Sequence, residues 1–159
     1  MSIAKLSVAA AIVAIAAGCG PQKIDATPVN TVEVDGLSVS LELPDRQFRT
    51  GQQARAVVVA RNLTDRPIPI DARTGAPVYI RILRFTGISW EDVKRYPEAA
   101  TMVMSPWTLD AGAQRTFVMN LTVEPDWPTG EIIRITAGLN GREEASPGLA
   151  VEVMPPTVP

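Results

Sequence analysis

The stretch Ala113-Gln114-Arg115-Thr116-Phe117-Val118-Met119-Asn120-Leu121-Thr122-Val123 decides the reading of this chain. Phe117, Met119, Leu121 and Val123 fall on one parity, and Thr116, Asn120 and Thr122 on the other. A period of two places apolar side chains on one face of a strand. A helix would need them every third or fourth position. The pattern continues downstream. Asp126-Trp127-Pro128-Thr129-Gly130 turns the chain, and Ile133, Ile135, Ala137 and Leu139 then form a second inward stripe against Glu131, Arg134 and Thr136. Beyond the Asn140-Gly141 turn and a charged tip at Glu143-Glu144, Leu149, Val151 and Val153 form the last strand.

Upstream the alternation is equally regular. Val39, Leu41 and Leu43 alternate with Ser38, Ser40 and Glu42, while Val32 and Val34 take the opposite parity. The slip falls at Asp35-Gly36, a bulge or a tight hairpin turn. Ala54 to Leu63 carries Ala56, Val58 and Ala60 on one face. Asp65-Arg66-Pro67 turns into Ile68 and Ile70, whose flanking prolines donate no ladder bonds and place the segment at a sheet edge. Pro77 to Phe85 is another strand, with Val78, Ile80 and Ile82 on one face, and Thr101 to Met104 reads as a short one. Ser89 before Trp90 to Arg95, with Asp92 placed to answer it, predicts one short helical insert ended at Tyr96-Pro97. About seven strands with turns every 8–12 residues predict an all-β fold, an immunoglobulin-like antiparallel sandwich over residues 31–154. Residues 155–159 are left as a flexible tail.

The beginning of the chain has a different character. Lys5 precedes the apolar run Leu6 to Ala17, which ends in Gly18-Cys19-Gly20-Pro21. A charged n-region, a short h-region and small residues predict an export signal over residues 1–18, in helical form. The run is too short for a span of about 20 apolar residues. A buried helix and ordinary cleavage after Ala14-Ile15-Ala16 are the alternatives. Small residues directly before a cysteine resemble the lipobox of bacterial lipoproteins. That resemblance implies cleavage after Gly18 and lipid on Cys19, with residues 19–30 as a tether. It places the chain in the cell envelope, facing the periplasm or exterior. In a Gram-negative cell Gly20, standing where aspartate signals retention, implies the outer membrane.

Composition narrows the chemistry. The chain of 159 residues has no histidine and one cysteine, Cys19, and its formal net charge is −2. Without histidine there is no Ser-His-Asp or Cys-His hydrolase, no histidine-bound zinc and no histidine proton shuttle. No basic stripe follows phosphates, which disfavours nucleic acid as a partner. No residue set marks a cofactor site, and no enzyme activity is expected.

Ala60-Arg61-Asn62-Leu63-Thr64-Asp65-Arg66-Pro67-Ile68 and Leu109-Asp110-Ala111-Gly112-Ala113 together resemble the BsuPI-like proteinase-inhibitor domain family. The shared features are a strand ending in Asn, an Asp-Pro turn, and a Leu-x-x-Gly turn into an aromatic-bearing strand. The resemblance implies an immunoglobulin-type sandwich and a serine-protease inhibitor as the alternative function. The residues themselves favour a non-catalytic interaction or structural module with an envelope protein as partner. Trp90, Glu91, Tyr96 and Trp107 are the candidate partner-binding residues, since they fall in or beside loops. Against that stands the plainer expectation that such aromatics, Trp127 included, plug the ends of the sandwich. Glu91, Asp92 and Glu98 invite calcium, but Lys94 and Arg95 lie among them and a solvated face is the better reading. Asn62 reads as a structural amide that satisfies backbone groups at a strand end.

Overall fold

The computed structural model describes residues 27–99 and 103–155. The export signal, Cys19, most of the tether and residues 156–159 lie outside the described residues. Among the described residues eleven strands form, where about seven were expected: β1 (Val29–Val34), β2 (Leu37–Glu42), β3 (Gln47–Arg49), β4 (Gln53–Asn62), β5 (Ile68–Ile70), β6 (Val78–Phe85), β7 (Trp90–Tyr96), β8 (Trp107–Leu109), β9 (Gln114–Thr122), β10 (Ile132–Leu139) and β11 (Gly148–Met154). One sheet has the order β1-β2-β4-β9, the second β3-β11-β10-β6-β7, and β5 pairs with β8 in a small ribbon. The molecule is an all-β sandwich.

The parities read from sequence are the ones that fill its core. Val39, Leu41, Ala56, Val58, Ile80, Ile82, Leu121, Val123, Ile133, Ile135, Leu149 and Val153 are all buried in one layer between the sheets. Asp35 and Gly36 both take positive φ, 50° and 77°, in a two-residue turn between Val34 and Leu37. This is the hairpin turn whose twist matches its strands, so the slip in parity is a turn and not a bulge. On the outer face of β10, Gly138 permits a close approach. A Cβ there would lie 2.5 Å from the Tyr79 hydroxyl, so the tyrosine ring lies over the bare backbone.

Four expectations are corrected. No helix forms over Ser89 to Arg95: β7 pairs antiparallel with β6 from Phe85↔Trp90 to Ile80↔Tyr96. Val103 to Met104 is not a strand, and the short strand lies later, at Trp107–Leu109. The sheets are not purely antiparallel, because β3 runs parallel to β11. The sandwich begins two residues earlier than expected, since Val29 and Asn30 already pair with Glu42 and Leu41.

The sandwich has two distinct ends. At one, Leu43 bonds to Pro28 O (3.0 Å), Gly51 to Val123 O (2.7 Å) and Gly130 to Val153 O (2.9 Å). At the other, Leu63 bonds to Gly36 O (2.8 Å), Asn62 to Ala113 O (2.9 Å) and Asn140 to Pro77 O (3.0 Å). The second end is tied by the buried side chain of Asn62. Its amide donates to the carbonyls of Arg66 (2.6 Å), Leu109 (3.0 Å) and Asp110 (3.0 Å). Its oxygen accepts from Thr64 N–H (2.9 Å) and Thr64 Oγ1 (2.7 Å). One amide thus holds the turn after β4 to the turn before β9.

Removing it leaves several buried backbone groups without partners, each costing about 1–3 kcal/mol. Asn62→Ala is therefore expected to lower the melting temperature by roughly 10 °C. A thermal melt followed by circular dichroism checks this, and a shift within about 2 °C would contradict the role assigned to Asn62.

Candidate functional site

The β6–β7 hairpin is the element that combines exposed aromatic surface with a rigid base. Its tip is short: Thr86 N–H bonds to Ser89 O at 2.9 Å, with Gly87 at φ 90° between them. Phe85 and Trp90 face each other across the tip with ring centroids 5.3 Å apart. The register Ile133↔Arg84 sets Ile132 beside Phe85 on the same outer face. Phe85 is 48% exposed, Trp90 40%, Ile132 64% and Ile88, at the turn, 94%. The Arg134 guanidinium lies 6.0 Å from the Trp90 ring centroid. These side chains form one apolar edge around a tight turn.

The base of the hairpin is fixed by charge. Arg81 on β6 holds Asp92 on β7 through two hydrogen bonds, each 2.6 Å. Lys94, opposite Ile82, donates to Glu124, lies 2.8 Å from Glu98 and reaches Asp126 at 3.4 Å. Tyr96 donates to Glu124 (3.0 Å), and Trp127 Nε1 donates to the Tyr96 hydroxyl (3.2 Å). Trp127 itself is 1% exposed. The loop from Glu124 to Trp127 thereby clips β7 to the rest of the sandwich.

The hydrogen bond from Lys94, followed by that from Tyr96, holds the Glu124 carboxyl below its ordinary value. The Arg81 hydrogen bond does the same to Asp92. Lys94 is raised, chiefly by its bonds to Glu124 and Glu98. Burial pushes the Tyr96 hydroxyl up.

The four candidate residues do not converge. Trp90 and Glu91 belong to the hairpin, and both are exposed. Tyr96 is part of the clip and packs on Trp127 with centroids 6.3 Å apart. Trp107 lies on β8, edge-on to Phe117 at 5.8 Å, with the Arg115 guanidinium 4.9 Å from its centroid. Arg115 stands near the start of β9, toward the Asn62 end. Asp92 and Glu98 answer Arg81 and Lys94 separately, and no group of metal-ligating residues occurs among the described residues. Sequence reasoning missed Phe85, Ile88 and Ile132. The signal for Phe85 and Ile132 was available: each is an apolar residue on the wet parity of its strand.

No family model and no curated protein matches the chain. Among solved structures it is similar to the sporulation control protein Spo0M of Bacillus subtilis, at 12% identity and a TM-score of 0.53 over 76% of this chain. It is also similar to the alkylpurine DNA glycosylase AlkC of Pseudomonas fluorescens, at 13% identity and a TM-score of 0.50 over 75% of this chain. The chain spans 50% of the first protein and 30% of the second. At these identities the likeness is one of fold.

The clip makes a prediction about acid. A carboxyl whose folded value is depressed contributes stability that is complete above its ordinary value, 4.5 for Glu124. That contribution is lost as pH falls through the folded value. Glu124→Gln is therefore expected to melt below the parent at pH 7, with the gap narrowing as pH falls below 4.5. Lys94, being raised, contributes below 10.5 and adds no slope in the acid range. Melting temperatures of both proteins from pH 3 to pH 8 check this, and a gap of constant size would contradict it.

Proposed function

We propose that this protein is a non-catalytic, lipid-anchored module of the cell envelope, built on an immunoglobulin-like sandwich and acting by contact. The observation that carries this reading is the apolar tip of the β6–β7 hairpin, where Phe85, Ile88 and Trp90 stand exposed on a base fixed by ion pairs. An exposed aromatic held in place loses little entropy on contact and buries a large area. Three further features support it. The chain has no histidine, Asp92, Glu98 and Glu124 are each bonded to a cation, and Gly18-Cys19 follows a short apolar run.

Lipid on Cys19 would fasten the domain to the envelope, outer-membrane in a Gram-negative cell. Two or three acyl chains hold stably, where one holds only marginally. The serine-protease inhibitor implied by the BsuPI-like resemblance is the second reading. It would need an extended loop lying in a protease cleft, and inhibition across a panel of serine proteases would be its sign. The tight Thr86–Ser89 turn favours the contact module over it.

Two outcomes test the proposal in cells. Cys19→Ser is expected to move the protein from the membrane pellet to the soluble fraction. Trp90→Ala is expected to cut photocrosslinking to envelope components at least roughly threefold, while the melting temperature moves by less than about 3 °C, as for other surface substitutions. Undiminished crosslinking by Trp90→Ala would remove the hairpin from the contact surface.

A further inference from the structure

The end of the sandwich at which β1 starts is also the end that carries the apolar hairpin tip. Val29 pairs with Glu42 at the finish of β2, and Leu43 bonds back to Pro28. The next residues lead to Arg46, whose carbonyl accepts from Glu152 N–H at 2.8 Å. Glu152 pairs with Ile132, and Ile132 lies beside Phe85 in the next strand. From the first strand to the hairpin tip, one rim of the molecule is traced. Trp107 lies toward the opposite rim, with Arg115.

We propose that this rim seats on the lipid bilayer itself, with Ile88, Trp90, Phe85 and Ile132 in the interfacial layer. The inference rests on the anchored reading above and names the partner of the same hairpin. Ten peptide steps separate Cys19 from Val29. At full stretch they span roughly 35 Å, about the length of the ten-residue strand β4. The anchor is attached at this rim, so it holds this rim within that reach of the membrane.

The chemistry of the tip suits that position. Tryptophan places its ring at the headgroup level, phenylalanine and isoleucine add apolar surface beneath it, and arginine keeps its charge in water while its stem lies along apolar surface. Here Arg84 neighbours Phe85 in sequence and Arg134 stands against the Trp90 ring. Glu91 and Glu131 flank the same side chains, so no block of positive charge drives the contact. The attraction is apolar, and its dependence on salt is slight. A protein partner at the tip would instead keep Trp90 away from acyl chains.

The test uses the processed protein purified from membranes. It is reconstituted into vesicles of phosphatidylethanolamine and phosphatidylglycerol, with and without brominated acyl chains. Trp90 is one of three tryptophans, so the bromolipid is expected to remove roughly a quarter to a third of the emission, at low and high salt alike. Trp90→Phe and Ile88→Asp are each expected to abolish that loss. Absence of quenching in the parent protein, or quenching that persists in Trp90→Phe, overturns the seating. The mass of the Cys19 peptide reads the anchor separately. Lipid on Cys19 without Trp90 quenching sinks the seating alone, whereas an unlipidated Cys19 sinks the anchor and the seating with it.

Discussion

The salt bridge from Lys94 to Glu124 ties the fifth strand of the larger sheet to the body of the sandwich. β7 is an edge strand of sequence Trp-Glu-Asp-Val-Lys-Arg-Tyr, with five polar or charged side chains counting the tyrosine. Little apolar area is available to hold it by burial alone. Instead Val93 and Tyr96 pack on the core, and the ammonium of Lys94 is met by three carboxylates. Glu124 in turn accepts from Tyr96, which accepts from the buried Trp127. The network works because its members are mutually satisfied. A lysine with 13% of its side chain exposed and no anion nearby would be costly. The clip adds to the β6–β7 ladder and the Arg81–Asp92 pair in fixing the direction of the hairpin.

That arrangement also explains where the sequence was readable and where it was not. Strands buried on one face repeat their parity openly, so the stripes on β2, β4, β6, β9, β10 and β11 were legible. The break in parity at Asp35-Gly36 was legible too, but a bulge and a hairpin turn fit it equally, and the choice is made by the positive φ of both residues between Val34 and Leu37. β7 was not legible. Ser89 and Asp92, with Tyr96-Pro97 as a stop, mimic a capped helical turn. The segment instead pairs with β6, and Arg81 holds Asp92 across that ladder at a separation of eleven residues, which neither helical nor strand periodicity signals. β3 was hidden for another reason. It has three residues and one apolar side chain, Phe48, and its partner β11 lies about a hundred residues away, Glu152 against Gln47.

The edge strands show a second constraint. A bare row of backbone donors and acceptors invites pairing with another chain. β7 interrupts its ladder with β6 by a register shift between Ile82 and Leu83, and it exposes Glu91, Asp92 and Arg95. β3 is too short to template a partner. Charges and irregularity at these two edges of the larger sheet oppose strand addition there and leave side-chain surface for contact. The hairpin tip is the place where that surface is apolar.

Fold alone says nothing about what such a contact does. A sporulation control protein and a DNA glycosylase carry similar sheets, and one frame can serve unrelated ends. The distinguishing information lies in residues that break the frame's own rules. Phe85 and Ile132 are apolar on the wet parity, and Ile88 is an apolar residue at the most exposed point of a four-residue turn. Nothing in the packing of the sandwich requires them, since the core is filled by the opposite parity of the same strands. Side chains that folding does not need, held rigid by a network that folding does need, are the physical form of a contact surface.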